Sequence, residues 1–322
     1  MLLEGMNMPI NRREFGRIFL GALSMYALGA PKNAKAVEEG EPSYYFNQFN
    51  TDIFPPFRTS GITPSDVQAR WGRYGNNTAA FIENGDLRFS GQGGVRVALY
   101  NGPSLEKYDI QASPLDLSAR FTIAGEYLPN NDNKSLEFGF RTGPNLLSYT
   151  IIPGENPFII FKDMVDTSFE NIQIPLQAQT SYTPRIRSDG EKVIASLKQD
   201  TVEQIIVEKP LSDIWGSINF DADGGSPSSP YDFKADWLLI KGSQVNPEGS
   251  DQLSRADLNL DAEVDSIDAH LFADKFARGE ANQSDLLVFI EEFQRRNPED
   301  QATLAVLQAL RASSVEDWQQ YR

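Results

Sequence analysis

The 322-residue chain contains no cysteine and a single histidine, His270. The first absence excludes disulfides, thiolate metal sites and a cysteine nucleophile. The second excludes serine–histidine hydrolysis and histidine-built zinc sites from nearly the whole chain, because His270 lies close to the C-terminal end. Positive charge is also scarce. There are 29 Lys and Arg against 45 Asp and Glu, a formal net charge of −16. Phosphate backbones and anionic membrane surfaces are gripped by Lys/Arg clusters, so neither nucleic acid nor such a surface is expected as a partner. Long apolar runs are lacking too. The run from Ile18 to Ala30 is shorter than the ~20 residues that cross a bilayer, so no membrane span is expected.

That short run has a telling neighbourhood. Asn11-Arg12-Arg13-Glu14-Phe15-Gly16-Arg17 precedes it, and Ala34-Lys35-Ala36 follows with small residues suited to cleavage. Together they resemble a bacterial twin-arginine (Tat) export signal. The resemblance implies that residues 1–36 are removed and that the mature protein is periplasmic, extracellular or at the cell surface. Residues 1–36 hold five basic and two acidic side chains, so the mature chain is more acidic still. An exported chain without disulfides must draw its stability from a core or from bound ions, and the remaining length suffices for one large β domain and a small second one.

From about residue 41 to 242 the pattern is strand after strand. Ala79 to Glu83 and Asp86 to Ser90 flank Asn84-Gly85, a dipeptide that accepts the positive φ angles of a tight hairpin. Leu117, Ala119, Phe121 and Ile123 alternate with polar residues, as do Leu136, Phe138 and Phe140. Ser188-Asp189-Gly190 reads as a turn between Ile186-Arg187 and the run Val193 to Leu197. About a dozen short strands with turns every 8–12 residues predict a mainly β fold, an antiparallel β-sandwich. Trp71-Gly72-Arg73-Tyr74 followed by Asn84 to Phe89, then Thr183 to Val193, then Phe233 to Ile240, resemble in order the concanavalin A-like lectin/glucanase jelly rolls. The resemblance covers 41–242 and implies a jelly roll. That superfamily includes lectins, hydrolases, lyases and adhesion modules, so the fold alone does not set an activity.

No recognised catalytic constellation is present. With histidine and cysteine excluded, a carboxylate pair is the remaining option, as in glycoside hydrolysis. The hydrolases of the resembling superfamily carry Glu-x-Asp-x-x-Glu on one strand, whereas Glu137-Phe138-Gly139-Phe140-Arg141 has one acid only. Asp221-Ala222-Asp223 is followed by a Gly- and Pro-rich stretch to Pro230 and reads as a solvated turn, with a second calcium site as the alternative. Tyr44, Tyr45, Phe54, Phe57, Trp71 and Tyr74 are the candidates for stacking on a sugar, although most aromatics of a sandwich belong to its core.

Residues 243–256, with Pro247, Gly249 and three Ser, read as a linker. Beyond it lies the sharpest motif. Asp257, Asn259, Asp261, Glu263, Asp265 and Asp268 occupy positions 1, 3, 5, 7, 9 and 12 of a twelve-residue loop. This is the oxygen spacing of an EF-hand loop for Ca²⁺, a hard cation that takes six to eight oxygens. Ala262 stands at position 6, where a left-handed backbone favours Gly. Ile267, Leu271, Phe272 and Phe276 then follow at helical spacing, with no entering helix before the loop. A loop followed by one helix resembles a dockerin-type repeat. Asn282 to Asp285 before Phe289 and Phe293 matches a second repeat that has lost its loop acids. Asn297 with Pro298 reads as the start of a last helix carrying Leu304, Leu307 and Leu310. Residues 257–322 are therefore expected as a small helical domain.

Taken together, the sequence points to an exported, non-catalytic module that binds carbohydrate or a surface, with a calcium-stabilised, dockerin-like assembly tail. A glycan and a protein partner of the tail are the partners this implies. The competing readings are a carbohydrate-active hydrolase of the same fold and a structural surface component without ligand.

Overall fold

A computed structural model describes residues 43–50, 71–75, 79–101, 106–110, 113–123, 134–142, 145–153, 158–163, 172–176, 181–199, 202–210, 215–225 and 230–312. The export-signal segment, Phe54 and Phe57 lie outside these residues. The chain divides into two compact units, one ending at Leu253 and the other starting at Ser254.

The first unit is a sandwich of two antiparallel sheets. Sheet A has the order β14 (Val202–Pro210), β13 (Lys192–Gln199), β12 (Ser181–Ser188), β7 (Leu115–Ile123), β16 (Tyr231–Gly242), β4 (Asp86–Gly91), β3 (Ala80–Glu83), with β1 (Tyr44–Asn47) also paired to β16. Sheet B has the order β11 (Ile172–Pro175), β10 (Phe158–Asp163), β9 (Asn145–Ile152), β8 (Ser135–Thr142), β15 (Trp215–Asp223), β5 (Val95–Leu99), β2 (Trp71–Gly75), with β6 (Tyr108–Asp109) also paired to β15. The chain crosses between the sheets repeatedly, with β8 to β11 together in sheet B and β12 to β14 together in sheet A, in a jelly-roll-like arrangement.

The period-2 pattern decides which residues fill the space between the sheets. Leu117, Ala119 and Phe121 of β7 meet Leu136, Phe138 and Phe140 of β8 and Ile218, Phe220 and Ala222 of β15 in one buried cluster. Phe220 is its hub, with ring centroids 5.1 Å from Phe138, 5.9 Å from Phe121 and 6.2 Å from Phe89. Tyr45 and Trp71 belong to this core as well, where the Trp71 indole donates to the Tyr45 hydroxyl at 2.9 Å. Two of the candidate sugar-stacking aromatics are thus structural. The alternation on β16 breaks at a bulge between Ala235 and Trp237. Tyr231, Phe233 and Ala235 point into the core before it, and Leu238 and Ile240 after it. The Asn84-Gly85 hairpin forms as expected, with φ of 55° and 82°.

The outer face of sheet A is occupied by charge pairs. Arg185 donates to both carboxylate oxygens of Asp116 at 2.7 and 2.5 Å, Lys234 meets Asp86 at 3.1 Å, and Arg88 meets Asp232 at 3.0 Å. The stretch expected as a linker is bonded into this unit over its first part. Val245 is buried in the core cluster, the Asp251 N–H donates to the Phe46 carbonyl at 2.7 Å, and the Asp251 carboxylate accepts from the Gln48 N–H at 2.7 Å.

The second unit contains α1 (Ser266–Ala277), α2 (Gln283–Arg296) and α3 (Gln301–Ala312). Phe272, Phe276, Leu286, Phe289, Phe293, Leu304, Leu307 and Leu310 form its core, with Phe272 stacked on Phe289 at 4.6 Å. Ile267 departs from the expected apolar face and is 42% exposed. The cap of α3 also differs from expectation. Asn297 closes α2, while the Asp300 side chain accepts from the Thr303 N–H at 3.0 Å and so caps α3. Among the described residues no helix is long and apolar enough to cross a membrane.

Candidate functional site

Sheet B presents its second face outward, and the residues there fall into cross-strand rows. Register aligns Tyr74 with Arg96, Arg96 with Asp221, Asp221 with Glu137 and Glu137 with Thr150. The next row runs Gly72, Ala98, Asn219, Gly139, Ser148. Four members of this second row are Gly, Ala or Ser, whereas the first carries Tyr74, Arg96 and Glu137. The result is a trough across the strands. It widens into a groove of about 420 Å³ lined by Tyr74, Arg96, Ala98, Tyr100, Lys107, Arg141, Ser217 and Asn219.

Two glycines shape the trough. A Cβ on Gly72 would lie 3.0 Å from both Cε2 and the hydroxyl oxygen of Tyr74, so the Tyr74 ring reclines along the sheet over Gly72. Its hydroxyl is 3.2 Å from that of Tyr100. Burial, followed by that hydrogen bond, pushes the Tyr74 phenol above its ordinary value, which keeps it neutral. Gly139, at φ 154°, brings β8 against β9 so closely that a Cβ would sit on the Leu147 carbonyl oxygen and 2.6 Å from Ser148 Cα.

The acids of this face sit beside the groove lining. Asp221 Oδ2 accepts from Arg96 Nε and Nη2 at 2.9 and 2.7 Å and from Arg141 Nη1 at 2.8 Å. This corrects the expectation of a solvated turn at Asp221-Ala222-Asp223: all three residues are in β15, and the turn begins at Gly224 and Gly225, with φ of 86° and 73°. Register also sets Asp221 directly opposite Glu137. A carboxylate pair exists where a single strand read alone offers one acid. Burial raises the Glu137 carboxyl above its usual range, against the lowering charges of Lys162 and Arg141 at 3.9 and 3.7 Å. Glu137 Oε1, Ser148 Oγ and Thr150 Oγ1 are buried without a hydrogen-bond partner, and all three belong to this face.

Of the remaining candidate aromatics, Tyr74 is the one that lines the groove, and Tyr44 is half-buried at the start of β1. Sequence reasoning missed Arg96, Tyr100, Lys107, Arg141, Ser217 and Asn219. Each is an unremarkable polar residue of a strand or loop until register brings it beside the others.

The second unit holds the acidic loop. Asp257, Asp261 and Asp268 each offer a carboxylate oxygen within 4.8 Å of the others, as do Asp261, Glu263 and Asp265. Asp257, Asp265 and Asp268 are buried. The backbone takes positive φ at Ala262 (71°), as position 6 requires, and also at Leu260 (57°). The carboxylates organise the loop through N–H groups. Asp257 accepts from Asp261 and Ala262 at 3.0 and 2.8 Å, and Asn259 and Asp261 accept from residues two further on, each at 3.0 Å. Asp268 accepts from Leu258, Asn259 and Asp265 at 2.6, 3.2 and 2.9 Å. Burial nevertheless raises its carboxyl to about 7. Val264 at position 8 is buried, and its carbonyl accepts from the Asn297 side-chain amide at 2.5 Å.

The segment before α2 serves as an internal control. Asp265 and Asp268 form a capping box on α1, and Asn282 and Asp285 form the same box on α2 with no acidic loop upstream. Helix capping therefore accounts for Asp265 and Asp268 on its own. Asp257, Asn259 and Asp261 have no counterpart before α2, and the all-oxygen donor set fits a hard divalent cation.

No family model matches the chain, and no curated protein matches it. Among solved structures it is similar to a prokaryotic β-1,3-1,4-glucanase (lichenase) derived from a mouse hindgut metagenome, with 12% identity over 62% of this chain and 98% of that one and a TM-score of 0.41. A glycoside hydrolase family protein from Mycobacterium thermorestibile matches at 13% identity over 61% of this chain and 99% of that one, TM-score 0.39. The Bacteroides ovatus xyloglucan-locus protein GH43B matches at 12% identity over 65% of this chain, TM-score 0.39, and this chain covers 41% of its length. The likeness is one of fold alone.

Proposed function

We propose that this chain is an exported, non-catalytic carbohydrate-binding module. A saccharide lies in the trough on the outer face of sheet B, and one Ca²⁺ ion organises the helical tail. The observation that carries the reading is the groove itself. It is polar, floored by small residues, and flanked by a tyrosine ring that reclines on Gly72. A reclining ring offers a face to the apolar side of a pyranose, while Asn219, Ser217 and the cationic side chains provide hydrogen bonds for its hydroxyls. Among the described residues no carboxylate lines the groove, which supports binding without hydrolysis.

Hydrolysis by the Glu137–Asp221 pair is the second reading. It is favoured by their opposed register and by the raised Glu137 carboxyl. Against it, Asp221 already receives three hydrogen bonds from two arginines, which blunts it as a nucleophile or base. Calorimetry against a panel of oligosaccharides, run beside a reducing-end assay, separates the readings. Binding lost in Tyr74→Ala, with no reducing ends released, supports the module. Turnover abolished by Glu137→Gln establishes the hydrolase instead. If no saccharide binds and none is cleaved, the domain is a structural component.

In the tail, Asp257, Asn259, Asp261 and Asp268 are the proposed side-chain ligands, with Glu263 contributing its backbone carbonyl and Asp265 acting through water. The cation would offset repulsion among clustered carboxylates and fix α1 to the loop that precedes it. The dockerin-like arrangement is proposed to present the tail to a protein partner, and the twin-arginine motif to direct export.

A further inference from the structure

We infer that the ligand of the groove is an anionic saccharide, one whose sugar carries a carboxylate or a sulfate. This rests on the reading of the trough as a saccharide site and names the class of sugar it takes. The chain as a whole has 45 acidic residues against 29 basic ones. Its groove inverts that balance: Arg96, Lys107 and Arg141 line it, and among the described residues no acid does. On a surface so rich in carboxylates, three cations converging on one concave site mark a place where negative charge is favoured.

The arrangement of the cations is specific. Arg96 and Arg141 come from β5 and β8, on opposite sides of β15, and both lean on Asp221 Oδ2 from flanking strands. Asp221 thereby holds the two guanidinium groups in place. Glu137 lies 3.7 Å from Arg141 and 3.9 Å from Lys162, so three cations stand against two carboxylates and the balance there is positive. A guanidinium offers five N–H donors in a planar fork that matches a carboxylate or a sulfate. Here Arg96 uses two of its nitrogens on Asp221 and Arg141 uses one. Lys107 is exposed at the lining and adds a flexible charge. Tyr74 sits opposite Arg96 in the register, so the stacking surface and the anion-binding fork occupy adjacent strands. A sugar stacked on Tyr74 would carry its acidic substituent toward Arg96.

The test titrates the full chain with oligogalacturonate, with the same oligomer methyl-esterified, and with dextran sulfate. Esterification removes the charge and keeps the sugar. The acid is expected to bind about tenfold more tightly than the ester, the size of one favourable charge contact. Lys107→Gln, an exposed change that leaves the core untouched, is expected to narrow that gap several-fold by weakening the acid more than the ester. Dextran sulfate binding that Lys107→Gln weakens would support the anionic class and assign sulfate as its source. Equal affinities for acid and ester, both lost in Tyr74→Ala, would overturn the inference and leave the saccharide reading standing. Failure of all three probes together with neutral oligosaccharides would overturn both.

Discussion

Gly139 is the position where the fold leaves least room, and Gly139→Ala is the sharpest test of the trough's construction. The new Cβ would overlap the Leu147 carbonyl oxygen and stand 2.6 Å from Ser148 Cα and 2.8 Å from Ser148 Cβ. The first two of these are backbone atoms of the neighbouring strand and cannot swing aside. Relief requires β8 and β9 to separate by roughly an ångström, which strains their hydrogen-bond ladder in the middle of sheet B. Overpacking of this kind costs about 1–3 kcal/mol or more, and an L-residue in that backbone region adds about 1–3 kcal/mol. The sum is roughly 2–6 kcal/mol. For a domain of this size each kcal/mol moves the melting temperature by about 2–4 °C, so a fall on the order of 10 °C is expected. Two other glycines isolate the conformational part of the cost. Gly93 and Gly190 also have positive φ, 72° and 91°, but a Cβ on either meets nothing within 4 Å. Alanine at those sites should lose only about 1 kcal/mol. Thermal unfolding followed by near-ultraviolet circular dichroism compares the three variants. If Gly139→Ala melts within about 2 °C of Gly93→Ala, the close approach of β8 and β9 is not a constraint and the argument fails.

Removing calcium with EGTA should lower the melting temperature of the helical unit and leave the sandwich unchanged; at free calcium 100-fold above Kd the ion contributes about 2.7 kcal/mol. Asp257→Ala should abolish that response, and an unchanged calcium dependence in this variant would remove the loop from consideration. Asp116 sets an acid limit. Burial alone would raise its carboxyl, but the charge and hydrogen bonds of Arg185, helped by Lys241 and Arg187, hold it at about 2. A depressed carboxylate contributes stability that is present above its unfolded value near 4 and is lost as pH falls toward 2, here about 2 kcal/mol. Urea midpoints measured from pH 5 to pH 2 should fall less steeply in Asp116→Asn than in the parent, and parallel curves would refute this. Finally, Arg12→Lys combined with Arg13→Lys should stop export in a Tat-competent bacterial host; normal periplasmic accumulation would show that the motif is not read.

Much of the fold was legible because alternation of apolar and polar residues is a local signal. Leu136, Phe138 and Phe140 announce a strand with one buried face whatever lies beside it, and Asn84-Gly85 announces its turn by the backbone angles it tolerates. The helical spacing of Leu271, Phe272 and Phe276 was equally local. What escaped depends on register. Nothing in Glu137-Phe138-Gly139 tells that Asp221 will lie opposite, and the Gly- and Pro-rich sequel of Asp223 pulled the reading of Asp221 toward a loop. Small residues carry no signal of their own, so Gly72, Ala98, Asn219, Gly139 and Ser148 form a recognisable line only when five strands are set side by side. Asn297 and Asp300 both suit a helix start, and side-chain geometry, not composition, gave the cap to Asp300.

That line of small residues separates two demands that proteins often have to trade against each other. Strands stand about 4.8 Å apart, so five of them span roughly 19 Å, the reach of a short oligosaccharide. Each rung points away from the hydrophobic core, which is built from the alternate residues of the same strands. On the saccharide reading proposed above, enlarging Ala98 or Asn219 would narrow one subsite from the face opposite the core, whereas a Cβ on Gly72 would press on the Tyr74 ring 3.0 Å away. Gly139 is the exception, because there the floor of the trough and the spacing of two strands are the same atoms. On the saccharide reading proposed above, binding preference would change rung by rung on either side of a fixed central point, without refolding the sheet.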